Sequence, residues 1–335
     1  MKIGIPKSLL YYNYYPLWKC FFEELGAEVI CSADTNKRIL DYGVKLCVDE
    51  ACLPVKIQHG HVKYLVDKVD AVFVPRIISI NKNEYICPKF CGLPEMVKNS
   101  IPDLPYIIDT TVNLRKSQNS IYQSIINAAS IITKDKIRIM KAYKNAQHAQ
   151  LDFEKKLKIS GDFDSAAYGY NDKSITSIHK IALLGHPYNI YDRFINMDIK
   201  NKLKKLGYQV ITPEMIDEDR INRNAYKMPK RHFWTFGRRM IGVGLSFIEN
   251  HDIDGIIYLS SFGCGIDSLM EDYLERHIKR DSQIPYMKLT LDEHSGDAGL
   301  NTRLEAFIDM VKWREENESN ISTYGRNIRS SKKFS

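Results

Sequence analysis

The sequence has no apolar run approaching the roughly 20 residues that a membrane span requires, so a membrane protein is not expected. It opens on Met1-Lys2-Ile3-Gly4-Ile5-Pro6, without the charged segment and apolar stretch of a secretory leader, and the expected compartment is the cytoplasm. Zinc-finger spacing, an RNA-binding aromatic signature and a basic heptad region are all missing, so no nucleic-acid partner is expected. The net charge of +7 does not change this. Part of it comes from Arg326, Arg329, Lys332 and Lys333, in a polar tail that reads as disordered. Other basic residues, such as Lys202, Lys204 and Lys205, are scattered over helix faces as ordinary solvated surface. No phosphate-binding glycine pattern occurs. The segment Phe233-Trp234-Thr235-Phe236-Gly237 leading into Gly242-Val243-Gly244 lacks the spacing and the preceding strand, and its small residues read as close helix packing. Seven cysteines, an odd number in a chain without a leader, argue against a disulfide framework and for thiol or metal chemistry.

What is present is length for two domains. The chain has 335 residues, with the 44% hydrophobic and 27% charged content of a soluble globular protein. An internal repeat runs at an offset of roughly 180 residues. Lys2-Ile3-Gly4-Ile5-Pro6 leads to Leu25-Gly26-Ala27-Glu28-Val29-Ile30, as Lys180-Ile181-Ala182-Leu183-Leu184-Gly185 leads to Leu206-Gly207-Tyr208-Gln209-Val210-Ile211. Val69–Pro75 then matches Ile253–Leu259, and Leu104–Asp109 matches Ile284–Leu289, in the same order. Short runs rich in Val and Ile, separated by helical patterns, are what a parallel sheet covered on both faces requires. The expected fold is α/β, with two duplicated βαβ domains. Residues 1–112 form the first, 113–176 a helical connector and linker, 177–312 the second, and 313–335 a polar basic tail. A long helix is expected over about 113–159, ending before Gly161, and a linker over Ser160–Thr176.

Three cysteines stand where a strand pattern gives way to a helix. They are Cys52 in Val48-Asp49-Glu50-Ala51-Cys52-Leu53-Pro54, Cys87 in Tyr85-Ile86-Cys87-Pro88-Lys89, and Cys264 in Ser261-Phe262-Gly263-Cys264-Gly265. Cys52 follows a weak strand-like run at Gly43–Val48, Cys87 a strand at Val72–Ile78, and Cys264 a strand at Ile256–Leu259. In open α/β sheets ligands collect beyond the carboxyl ends of the strands. A thiol at a helix N-terminus meets the positive end of the helix dipole and unpaired N–H groups, which are expected to lower its pKa and favour an anionic metal cluster. Cys91, four residues after Cys87, is placed to approach the same metal. Four thiolates suit a structural zinc, and an iron–sulfur cluster also takes thiolates; spacing does not separate the two. Cys20, Cys31 and Cys47 read as core.

Other polar residues leave two readings each. His59 and His61 sit two apart on a helix and point to different faces, so a shared metal is not expected. His186, in Gly185-His186-Pro187-Tyr188-Asn189, ends a strand at the ligand-binding edge, though Asn189 and Asp192 also suit a turn and cap. Asp292-Glu293-His294-Ser295-Gly296 occupies the same edge, for acid–base or cofactor-orienting work or for capping. Arg76 and Lys56 could neutralise an anionic cluster or substrate, or serve the surface.

Taken together these motifs resemble the acyl-CoA dehydratase activase-related proteins, relatives of the 2-hydroxyacyl-CoA dehydratase subunits. The resemblance covers residues 1 to about 312 and includes Tyr14-Tyr15-Pro16 and Leu291-Asp292-Glu293-His294. It implies two Rossmann-like domains with a [4Fe–4S] cluster in the cleft between them, held by Cys52, Cys87 and Cys264. It further implies low-potential electron transfer or dehydratase-like reductive chemistry on a small or acyl-CoA substrate. The expected partners are a separate ATP-dependent activase or other electron donor, and a homo- or heterodimer mate. Cys91 departs from the family pattern and would close the fourth metal position. The alternative is a non-catalytic α/β binding protein whose thiols hold structural zinc or stay free.

Overall fold

The structure, a computed structural model, describes residues 1–115, 119–170, 177–228, 230, 232–250 and 252–330, with the side chains of 119, 250 and 315–330 left aside. Among the described residues, ten strands form at Lys2–Ile5 (β1), Glu28–Cys31 (β2), Ala71–Phe73 (β3), Arg76–Ser79 (β4), Tyr106–Ile108 (β5), Thr111–Asn113 (β6), Lys180–Gly185 (β7), Gln209–Ile211 (β8), Gly255–Ser261 (β9) and Tyr286–Leu291 (β10). They make two four-stranded parallel sheets, β2-β1-β3-β5 and β8-β7-β9-β10, and a parallel pair, β4-β6. The fold is therefore α/β, with parallel sheets and covering helices. β9 is buried at all seven positions, as a central strand covered on both faces must be. The largest apolar cluster is continuous between the sheets, joining Ile5, Val72 and Phe153 to Leu183, Tyr188 and Ile257.

Several sequence expectations are corrected. Gly43–Val48 is not a strand: Lys37–Leu46 is a helix, opened by Asn36, whose side chain accepts from the Ile39 N–H. The expected strand at Val72–Ile78 is two strands in different sheets. Pro75 has no N–H for the ladder, and the chain leaves the first sheet there to pair β4 with β6. The expected long helix over 113–159 is two, Asn119–Ala129 and Lys136–Ser160. The second is started by Asp135, which accepts from Ile137 and Arg138, and ends on Gly161 at φ +58. Within the expected linker, Phe163–Tyr168 is helical and capped by Asp162, while 171–176 lie outside the described residues. The basic tail carries helical backbone through Ser330, in the helix Asp297–Ser330, and Lys332 and Lys333 lie outside the described residues.

Two features fix the entrance to the first cysteine. The helices Lys37–Leu46 and Leu53–Leu65 cross so closely that a methyl on Gly43 would strike the Lys56 carbonyl, and one on Gly60 the Ile39 carbonyl. A buried polar chain then ties this helix pair to the second half. His61 Nδ1 is 2.8 Å from Ser32 Oγ, its Nε2 is 3.0 Å from Thr35 Oγ1, and Thr35 donates to Asp192 Oδ2 at 2.5 Å.

Gly60→Ala should lose about 1–3 kcal/mol of stability through overpacking, read as a lower midpoint in thermal or urea unfolding; an unchanged midpoint would show that the helices can part freely. A pH effect also follows. Burial, with the Lys7 charge, pushes His61 down to about 3, so the folded ring is neutral, while an unfolded histidine gains its proton near pH 6.5. Between those values the unfolded chain holds the extra proton, so stability falls as pH drops. Asp192, raised to about 6 by burial against its hydrogen bond from Thr35, acts in the opposite sense. His61→Gln should therefore flatten the decline of the urea midpoint between pH 7 and 5, and a decline as steep as the parent's would assign the acid sensitivity elsewhere.

Candidate metal centre

Each of the three junction cysteines is the N-cap residue of a helix: Cys52 for Leu53–Leu65, Cys87 for the single turn Pro88–Cys91, and Cys264 for Gly265–Asp281. Pro54 and Pro88 lie in the first turns, where an N–H would be unpaired anyway. The chain positions these caps by three different devices: the close helix pair for Cys52, the β4–β6 pair for Cys87, and the carboxyl end of β9 for Cys264.

The structure brings the three residues together. Gly263 adopts φ +77, and a side chain added there would stand 3.2 Å from the Cys52 Cα, so first-half and second-half backbones touch at this point. Burial raises the Cys87 thiol above its ordinary value, and the charges of Cys52 and Asp267 add to it, against the Lys89 N–H and ammonium. Burial likewise raises Cys264, against a hydrogen bond from His186. The sequence expectation of lowered thiol pKa values at helix ends is corrected for these two: desolvation outweighs the helix N–H groups. Tyr188 is pushed well above its ordinary value by burial, then by Cys264, Asp267, Cys52 and Cys87 in that order.

A second layer stands behind Cys264. A His186 nitrogen, the Cys264 sulfur and an Asp267 oxygen all lie within 4.8 Å of one another. His186 Nε2 is 3.1 Å from Asp267 Oδ1, which also accepts from Tyr258 at 2.9 Å. Burial disfavours charge on His186, yet Asp267 and Cys264 overcome it and raise the ring to about 10. The local sequence explains the placement. Gly185 sits at φ +148, with the Leu259 carbonyl 2.7 Å from where a Cβ would be, and Pro187 starts the next helix. Asn189 then accepts from Ser261 Oγ at 2.8 Å. Beside His186 opens a cavity of about 790 Å³, whose walls include Tyr12, Thr235, Phe236, Arg238 and Arg239.

The remaining residues fall as follows. Cys91 ends its one-turn helix with its carbonyl accepting from Arg76 at 2.8 Å, and its sulfur is not among the largest influences on Cys87, Cys264 or Tyr188. Cys47, read from sequence as core, packs beside Cys52, Ala51 and Val55; burial and Cys52 push its thiol up to about 11. Cys20 packs against apolar core, and Cys31 is half-buried against Tyr11 and Tyr15. His59 bonds the Val55 carbonyl, and His61 belongs to the buried chain described above. Arg76 pairs with Glu95, and Lys56, buried, pairs with Glu293 at 2.5 Å. Asp292 caps its own turn, accepting from His294 N–H and Ser295 Oγ. Sequence reasoning passed over Asp267, Tyr188 and Lys89. The signal was their spacing: Asp267 lies three residues past Cys264, on the first helical turn, and Lys89 two past Cys87, its Nζ 3.5 Å from the Gly263 carbonyl.

The CoA enzyme activase uncharacterised domain matches residues 2–216. The chain belongs to that family. Residues 200–311 match the D-component of 2-hydroxyglutaryl-CoA dehydratase. No curated protein matches the chain. Two solved structures of a LacI family transcriptional regulator from Arthrobacter sp. FB24, one with lactose, align at 12% identity over 94% of this chain and 91% and 90% of theirs. Their TM-scores of 0.18 and 0.19 carry no argument about fold or function. Among the described residues no helix is long and apolar enough to cross a membrane.

The Lys56–Glu293 pair joins the helix after Cys52 to the turn after β10, and its two members differ in exposure, 3% against 18%. Removing the carboxylate strands a buried ammonium. Glu293→Gln should cost about 3–5 kcal/mol in urea unfolding, and Lys56→Met, which leaves a carboxylate still partly open to water, distinctly less; equal losses would mean the ammonium finds water.

Proposed function

We propose that this chain is an iron–sulfur redox protein of the 2-hydroxyacyl-CoA dehydratase type. It would hold one [4Fe–4S] cluster on Cys52, Cys87 and Cys264, in the cleft between duplicated Rossmann-like halves at 1–112 and 177–312. The observation that carries this reading is the gathering of three N-cap thiols around Asp267 and Tyr188. The matching strand orders of the two four-stranded sheets support the duplication.

The donor set fits such a cluster. Sulfur ligands suit iron–sulfur centres, the helix N–H groups are placed to offset thiolate charge, and Cys87 and Cys264 are thiols largely withdrawn from water. The proposed ligand set is the three N-cap thiols, with Cys91 outside it. A bound cluster supplies single electrons at low potential, which in dehydratases of this type go to an acyl-CoA thioester so that its hydroxyl leaves as water.

This chain's own residues do the rest. Tyr188 and Phe236 wall the His186 ring, at centroid separations of 5.0 and 5.3 Å. Lys89 places a positive charge beside Cys87. The cavity next to His186 falls within the size range of small-molecule sites, roughly 300–1,000 Å³, and is the place for a substrate. Exposed Val48, Phe262 and Leu269 lie near the thiols in sequence and offer a docking rim for a separate electron donor, an ATP-dependent activase or a protein serving in its place. The compartment proposed is the cytoplasm.

Purification without oxygen tests this. The expected product is brown, with about four irons per chain. Cys52→Ala, Cys87→Ala and Cys264→Ala should each lose most of the iron, and Cys91→Ala should keep it. A colourless protein with one zinc per chain would replace this reading with that of a structural zinc protein.

A further inference from the structure

A cluster that takes up an electron gains from positive charge near its sulfurs, and two basic residues of the sequence, Arg76 and Lys56, suit that work by type. We propose that it falls to Lys89 instead, whose ammonium, held against the Gly263 carbonyl, sets how readily the bound cluster is reduced. This rests on the iron–sulfur reading above and goes beyond it.

Lys89 reaches the site from the first half. It is the second residue of the single turn Pro88–Cys91, which Cys87 caps. Its Nζ stands 3.5 Å from the Gly263 carbonyl, in the second half. Gly263 immediately precedes Cys264, and a side chain added to it would come 3.2 Å from the Cys52 Cα. One contact therefore puts this ammonium beside the stretches that carry all three thiols.

The turn that bears Lys89 is anchored on both sides. Before it, the Tyr85 N–H donates to the Phe233 carbonyl at 3.1 Å, and the Thr235 N–H donates to the Tyr85 carbonyl at 2.9 Å. After it, Phe90 is buried, with its ring 6.3 Å from that of Phe236 between centroids, and its N–H donates to the Cys87 carbonyl at 3.0 Å. Lys89 itself is half-buried.

The other two cations are already paired. Arg76 is bound to Glu95, and Lys56 to Glu293 at 2.5 Å. At a distance the carboxylate of such a pair cancels most of the field of its cation. Among the described residues no carboxylate pairs with Lys89: its partner is a neutral carbonyl, which leaves its unit charge whole.

Reduction adds one electron to the cluster, so the site gains one unit of negative charge. A nearby cation stabilises the reduced form more than the oxidised one, and net charge is among the settings of an iron–sulfur potential. A residue that only strapped the two halves together through its hydrogen bond would leave that equilibrium alone. Arginine keeps the charge, whereas methionine keeps an unbranched stem without it.

The test uses the full chain, purified without oxygen and titrated with dithionite through redox mediators. Electron paramagnetic resonance reads the reduced cluster. Lys89→Met should lower the equilibrium constant for one-electron reduction about tenfold, a midpoint about 59 mV more negative, with iron held at about four per chain. Lys89→Arg should keep the parent's midpoint. A Lys89→Met protein with full iron and an unmoved midpoint overturns the role and leaves Lys89 a strap. An equal shift in Lys89→Met and Lys89→Arg assigns the effect to packing and also overturns it. Should Lys89→Met lose its iron, Lys89→Gln is measured in its place. Loss from both, with iron and the parent's midpoint retained in Lys89→Arg, supports the charge, and loss from all three overturns it. Absence of iron and acid-labile sulfide from the parent overturns the cluster reading itself, which an unmoved midpoint leaves standing.

Discussion

Sulfurs and a carboxylate crowded into one buried corner repel one another as soon as they ionise. Burying them together is the constraint on which this site depends. Burial is the largest influence on Cys87, Cys264 and Tyr188; the charges of Cys52 and Asp267 add to it at Cys87, that of Asp267 at Cys264, and all four at Tyr188. Three helix N-termini ease it only in part, because the largest influence on Cys87 and Cys264 is still burial. Lys89 and the His186 ring supply some positive charge from the protein itself.

Holding such a corner together requires that two distant stretches of chain meet without yielding. Backbone approach does part of this, at Gly263 against Cys52, where the positive φ favours glycine and an added side chain would crowd the Cys52 Cα. Buried polar contacts do the rest. Lys56 reaches Glu293, and Thr35 links His61 to Asp192, so the Cys52 helix is tied to the second half at two points. Buried ionic and polar contacts add little net stability compared with apolar packing, but breaking one partner is costly. They are better understood here as setting a single relative placement of the two halves.

Much of this was legible beforehand. β1, β2, β7, β8, β9 and β10 coincide with runs rich in Val, Ile and Leu, buried throughout in the central β9 and only in part at the edge strands β2, β8 and β10. The three cap cysteines announced themselves through flanking Pro and Gly. What stayed hidden depended on contacts between residues far apart in sequence. Periodicity could not say that Gly43 lies on a helix face pressed against Lys56, nor that Pro75 hands the chain from one sheet to another. Desolvation was equally invisible, so Cys87 and Cys264 were expected to be acidic where burial makes them less so. Cys47 does pack with apolar residues, as its neighbourhood in sequence suggested, but that its neighbours include Cys52 could not be read from the sequence.

The meeting of Gly263 with Cys52 carries one more implication. These positions are more than two hundred residues apart, and an ion gripped from both sides would close that whole span into a ring. By the chain-entropy view of cross-links, a closure of that length restricts the denatured ensemble by roughly 5 kcal/mol. Such a centre would be a rivet as well as a reactive group. Oxygen, by stripping it, would slacken the whole scaffold along with silencing its chemistry.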